Sequence, residues 1–216
     1  AARTTATTQP VKRTDSNLHA EPATVVRGLP GCHRTSSSPE AAMTPLVVGV
    51  TSHRDISASE IEPIRQRVRD FFAQLQRDFP GLPLVVLSAL AEGGDQLEAE
   101  EALAAGARLG ARLVAPLPLP PDLYAEDFVD PAVRARFDTL CSQAEVVLLP
   151  GLMDAPRHAI EAPGAARDRQ YAKAGVYVAS HSHVLLAIWN GQPKGRLGGT
   201  AQIVNYHLTG TLPGLI

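Results

Sequence analysis

Apolar residues along this chain come in two kinds of run: short unbroken stretches, and stretches with a period between three and four. From Pro45 onward the two alternate. Leu46-Val47-Val48-Gly49-Val50 is a continuous run, after which Ile61, Ile64, Val68, Phe71 and Leu75 recur at the spacing of one helical face. Ser59-x-x-Glu62 has the form of a capping box for that helix, and Pro63 falls in or near its first turn. Leu84 to Leu87 is a second strand, and Glu92-Gly93-Gly94-Asp95 turns into a helix carrying Leu97, Ala102 and Leu103. Leu113-Val114-Ala115 is a third strand, cut short by Pro116 and Pro118, and a helix follows Pro131 with Val133, Phe137 and Leu140 inward. Val146 to Leu149 is the fourth strand; a long polar loop leads to a helix over Asp168 to Ser180. Val184 to Trp189 is the fifth strand, and Gly198-Gly199-Thr200 opens a last helix.

Strands that are apolar on both faces, alternating with amphipathic helices, predict an α/β fold: a Rossmann-like, doubly wound parallel sheet of about five or more strands with helices on both faces. Ligands of such sheets bind beyond the carboxyl ends of the strands, where strand order reverses. Chemistry is therefore sought in the loops that follow each strand.

Length and composition restrict the picture further. The chain has 216 residues, 44% hydrophobic and 19% charged, enough for one ample domain plus a tail. Residues 1–42 are rich in Ala, Thr, Ser, Pro and Arg without hydrophobic periodicity, and are expected to be disordered or a non-native extension ahead of Met43. The domain is placed at 43–216, and the absence of a clear final element after Thr209 predicts that the natural protein continues. Two cysteines, Cys32 and Cys141, make no disulfide framework and no zinc site, so no metal is expected; Cys141 reads as a small core residue. The longest apolar stretch near the C-terminus, Val184 to Trp189, is far shorter than the roughly 20 residues of a membrane span. The net charge is −2 overall but +2 over residues 1–44 and −4 beyond them, so the foldable part lacks the basic stripe of a nucleic-acid module.

Three loops carry candidate chemistry. After the first strand, Gly49 permits close approach, Thr51 and Ser52 offer hydroxyls, His53 follows, and Arg54 presents a planar cationic fork suited to phosphate. In isolation that loop reads better as two ordinary surface charges, Arg54 and Asp55, beside a packed or solvent-facing histidine. After the second strand, Gly93 and Gly94 free backbone amides at a helix N-terminus for an anion. Asp95 reads first as the helix N-cap, Glu92 or Asp95 would take ribose hydroxyls, and Glu92 is otherwise a helix-flanking surface charge. After the fifth strand, Gly191, Gly195, Gly198 and Gly199 lead into Thr200, with Lys194 and Arg196 adding charge, which makes a phosphate cradle in physical terms. Arg167, Arg169 and Tyr171 either reach the same crevice or form a solvated helix start.

In their order and spacing, Gly49-x-x-Ser52-His53-Arg54-Asp55, Leu87 to Asp95, Tyr124-x-x-Asp127-Phe128, Leu186 to Gly191 and Gly198-Gly199-Thr200-Ala201 resemble the SLOG superfamily, which joins the Smf/DprA proteins with the LOG (lysine decarboxylase-like) nucleotide enzymes. The resemblance is nearest to bacterial SLOG sensor domains and covers about residues 45–208. It implies a cytoplasmic signalling domain that binds a nucleotide or NAD-derived ligand such as ADP-ribose, as in Thoeris anti-phage defence and ADP-ribose-gated channels. It further implies homo-oligomers, a C-terminal membrane or effector module, and no cofactor. Two departures concern crevice shape: Ser52 stands where the pattern usually has glycine, and Asn190 where it usually has aspartate. The LOG enzymes carry a glutamate shortly after their Gly-Gly-x-Gly-Thr segment, whereas Ala201-Gln202-Ile203-Val204 follows Thr200 here. The alternative of a nucleoside 5′-monophosphate phosphoribohydrolase therefore falls to Glu92 as general acid/base. Single-stranded DNA binding, the third reading, is disfavoured by the acidic balance and the 5% aromatic content.

Overall fold

The computed structural model describes residues 3–8, 24–25, 44–193 and 195–214. Two short segments of the N-terminal stretch are strands, β1 (Arg3–Thr8) and β2 (Thr24–Val25). The five strands legible in the sequence follow as β3 (Leu46–Ser52), β4 (Leu84–Leu87), β5 (Arg112–Leu117), β6 (Glu145–Leu148) and β7 (Val184–Trp189). These five are mutually parallel in the order β7-β3-β4-β5-β6, and β1 and β2 pair antiparallel with the outer edges of β7 and β6. The fold is thus α/β and Rossmann-like, as the pattern predicts. A tail without ordered elements does not foresee β1. Its Arg-Thr-Thr-Ala-Thr-Thr sequence is rich in β-branched residues, and the edge of β7 offers unpaired backbone groups. The remainder of that tail expectation lies outside the described residues.

Strand alternation divides the core into two layers. Val48, Val50, Leu84, Val86, Leu186 and Ile188 point to one face, where they meet Ile64, Val68 and Phe72 of α1 (Ala58–Asp78) and Leu97 of α2 (Gly94–Leu109). Val85, Leu87 and Leu185 point to the other, against Val178 of α6 (Ala165–Ser180) and Ile203 of α7 (Thr200–Thr209). Each fully buried side chain of this kind contributes about 1.5–3 kcal/mol, so Ile64, Val68, Phe72 and Leu75 together hold α1 on the sheet. The expected face of α1 is rotated slightly: Phe72 rather than Phe71 is buried, and Ile61 is 39% exposed. Ser57, not Ser59, precedes the helix, and its hydroxyl bonds Glu60 Oε2 at 3.0 Å, because Ser57-x-x-Glu60 has the same spacing two residues earlier.

A helix α4 (Pro131–Gln143) packs beside α2, capped by Asp130, whose carboxylate accepts from the Ala132 N–H at 2.8 Å. Arg65 and Arg69 of α1 and Arg136 of α4 pair with Glu100 and Glu101 of α2 at 2.5–3.0 Å, which commits these charges to holding three helices together. Two short helices absent from the sequence pattern, α3 (Pro121–Ala125) and α5 (Arg157–Glu161), lie in the loops after β5 and β6. Among the described residues no helix is long and apolar enough to cross a membrane.

From β3 the chain steps outward through β4, β5 and β6, then returns to place β7 on the other side of β3. Strand order therefore reverses between β3 and β7, and α1 and α7 leave these two strands toward opposite faces. The crevice expected of such a sheet opens at the carboxyl ends of β3 and β7.

Candidate functional site

The rim of that crevice is built by close crossing of backbones. The His53 N–H donates to the Ile188 carbonyl at 2.9 Å, carrying the β3–β7 pairing to the very end of both strands. The loop after β3 then passes over the start of α2. A Cβ at Gly93, whose φ is +94°, would lie 2.6 Å from the His53 carbonyl oxygen and closer still to that of Arg54. A Cβ at Gly94 would lie 2.6 Å from Ser52 Cβ and 3.3 Å from Ile188 Cγ2. The paired glycines thus allow two chain segments to touch. Their expected role as free anion donors is corrected at Gly94, whose N–H is taken by the His53 carbonyl at 3.4 Å.

Asp95 is likewise not the cap. Gly93 holds the N-cap position, and Asp95 lies in the first turn with its carboxyl buried. Ser52 Oγ donates to Asp95 Oδ1 at 2.5 Å, so this hydroxyl at the end of β3 fixes the acid. Burial pushes the Asp95 carboxyl up to about 7, against the pull of the Ser52 hydroxyl, the Arg54 charge and the Ala91 N–H. The turn that delivers it is tied internally. Ser88 Oγ donates to the Asp95 carbonyl at 3.2 Å, Gln96 Nε2 to the Leu90 carbonyl at 3.3 Å, and Leu90 is held at a φ of +55°. One turn on, Glu98 is fully buried with neither carboxyl oxygen bonded, and burial together with the Asp95 charge raises it far above the carboxylate range.

Around Asp95 runs a chain of polar groups. Tyr124 of α3 is buried, its hydroxyl raised by burial, within reach of the Arg54, Asp95, Asp127 and Tyr171 charges. Tyr171 of α6 donates to Asp127 Oδ2, and Arg167 bonds both, at 2.9 Å to the tyrosine oxygen and 3.0 Å to Asp127 Oδ1. Arg167 also donates to the carbonyls of Ile160, Glu161 and Leu123, so its guanidinium closes the loop after β6 rather than facing solvent. Gln170 binds the carbonyls of Pro118 and Pro150, tying the ends of β5 and β6 from the same helix.

On the other face of the sheet stands the glycine-rich loop. A Cβ at Gly198, φ +70°, would lie 2.5 Å from Ala172 Cα, so this glycine lets the loop press on α6. Its N–H donates to Gln202 Oε1 at 2.8 Å, and the Gly199 N–H to the Arg196 carbonyl at 3.0 Å. The expectation that these glycine amides form the cradle is corrected in the same way. The donors that a helix leaves without intrahelical partners are those of its first turn, here Thr200 and Ala201. Gly49 lies three residues below the rim, packed under Val178 of α6 and Ser182 of the turn that follows it, and serves helix–sheet contact. Thr51 is buried on the same face. His53 meets the ring of Trp189 edge-on, with centroids 6.3 Å apart. Lys194 lies outside the described residues.

Ser52, Arg54, Glu92, Gly93, Gly94 and Asp95 are therefore brought together at the start of α2, while His53 turns to Trp189 on the other face, where Thr200 stands at the same carboxyl rim. Arg54 is exposed and Glu92 half-buried. Periodicity gives no signal for Glu98 or for the Tyr124–Tyr171–Asp127 chain, beyond the spacing of Tyr124 and Asp127. Two concavities lie away from this rim: a cleft of about 330 Å³ between Leu46, Phe72 and Phe79, and a groove of about 540 Å³ between α2 and α4. Among the described residues no group of three or more His, Cys, Asp or Glu side chains could hold a metal ion. Compared with protein-family models and with curated proteins, the chain matches none.

Proposed function

We propose that this chain is a SLOG-type cytoplasmic domain that binds a nucleotide or NAD-derived ligand of the ADP-ribose kind and passes its occupancy to another copy or an effector module. The observation that supports this most is the placement, along the carboxyl rim where strand order reverses, of an exposed arginine beside a half-buried and a buried acid on one face and of a helix start on the other. Arg54 neutralises phosphate, the first turn of α7 with Thr200 supplies N–H and hydroxyl donors, and Glu92 accepts from ribose hydroxyls. Calorimetric titration with ADP-ribose, cyclic ADP-ribose and NAD is expected to give heat with at least one of them. Arg54→Ala is expected to weaken that ligand roughly 10- to 100-fold, the loss of a charge-assisted hydrogen bond, with an unchanged melting curve because Arg54 is exposed. Absence of heat with all three ligands rejects the proposal.

The hydrolase reading draws on one feature, the Asp95 carboxyl at about 7, which suits an acid/base group working near neutral pH. Water added across the C1′–N bond of AMP would release adenine and ribose 5-phosphate. Adenine released by the wild type, and lost in Asp95→Asn or Glu92→Gln, distinguishes this from binding alone.

A further inference from the structure

Trp189 is the chain's single tryptophan, and it occupies the last position of β7, beside the end of β3. Alternation fixes the side on which it stands. Ser52 and Ile188 lie under Gly94 of α2, so the next residue on each strand, His53 and Trp189, falls to the face covered by α6 and α7. Their ring contact agrees, the planes meeting at 85°. Val184 to Ile188 are buried, whereas Trp189 emerges half-buried and Asn190 after it is exposed. Among the described residues, the apolar clusters of the two faces are assembled without this ring.

A half-buried indole at the carboxyl rim of the sheet offers a stacking surface. Every heteroaromatic base has a π face, and such a surface accepts it without reading its edges. The surroundings suit the rest of a nucleotide. The first turn of α7 opens on the same face, and Arg54 adjoins His53 in the chain. A base against the indole would leave its sugar and phosphates to span the distance toward those donors. We infer that Trp189, flanked by the edge of His53, is the platform for the planar base of the ligand, so that the domain selects base-bearing nucleotides over bare sugar phosphates. This rests on the binding function proposed above.

Because Trp189 is the sole indole, its emission reports the platform directly. The full chain is titrated with ADP-ribose, NAD and AMP as base-bearing probes and ribose 5-phosphate as the baseless one, each followed by calorimetry and by tryptophan fluorescence excited where adenine is transparent. The expected result is heat and quenching with a base-bearing probe, and no quenching with ribose 5-phosphate. Trp189→Ala is expected to weaken the base-bearing probe roughly 5- to 100-fold, and Trp189→Phe to retain most of the affinity. Should the alanine variant fail to fold, wild-type quenching and the phenylalanine variant carry the test. Heat from ADP-ribose with unchanged emission, or with full affinity in Trp189→Ala, overturns the platform and leaves the binding function standing. No heat from any probe removes the binding function and the platform with it.

Discussion

Gly93→Ala is expected to cost the domain more than about 4 kcal/mol, in the range reserved for backbone incompatibility and steric overlap combined. Two independent penalties meet at this position. Its φ of +94° with ψ of −125° is a conformation open in practice to glycine alone. The added methyl would also press on the carbonyls of His53 and Arg54, which are backbone atoms without a rotamer to escape into. Relief would require the loop after β3 to lift from α2, breaking the Gly94–His53 hydrogen bond and withdrawing Ser52 from Asp95. Gly81→Ala is the matched control. Its φ is +82°, but the added Cβ would meet open space, so only the left-handed strain of about 1–2 kcal/mol remains. Denaturant unfolding of both variants measures the difference. A Gly93→Ala protein no less stable than Gly81→Ala would show that the two loops do not cross as closely as described.

That glycine also marks where the sequence stops being informative. The strands and the long helices were legible because hydrophobic periodicity records which face is buried, and Val47/Val85/Leu185 against Val48/Val86/Leu186 sort to opposite layers. The position of the rim followed from parallel strands alone. What could not be read was which donors were already committed. Gly94, Gly198 and Gly199 look alike in sequence as sources of free amides, yet each N–H is spoken for, by His53, Gln202 and Arg196. Asp95 resembles an N-cap until Gly93 adopts a backbone that starts the helix two residues sooner and turns the acid under Ser52. In Glu98-Ala99-Glu100-Glu101, composition gives three equivalent acids. Only the arginines of neighbouring helices decide that Glu100 and Glu101 are paired and that Glu98 faces inward alone.

The domain is expected to lose stability as pH rises from about 4 to above 7, the reverse of a protein held by paired carboxylates. Asp95 and Glu98 both keep their protons in the folded state at pH values where the unfolded chain has released them. The unfolded state then binds fewer protons than the native one, and the slope of unfolding free energy with pH is negative through that window. For Asp95 the rise from 3.8 to about 7 corresponds to about 4 kcal/mol as an upper bound, present below pH 4 and lost by pH 7. Glu98, raised in the same direction by burial, adds to the decline. Glu101 works the other way: burial raises it, but hydrogen bonds from Arg69 and Arg65 outweigh that and hold it low, so its contribution fades only in acid. Urea unfolding at pH 5 and pH 8 should therefore show the wild type weaker at pH 8. Glu98→Leu, which removes a buried carboxyl with no partner, should gain about 2 kcal/mol at pH 8 and narrow the gap. Asp95→Asn should flatten the portion below pH 7. A wild type equally stable at both pH values would mean that these carboxyls are hydrated or paired. Under the binding function proposed above, a phosphorylated ligand held by Arg54 would meet a neutral Asp95 below pH 7 and an anion above it, so its affinity should fall as pH rises through the same range.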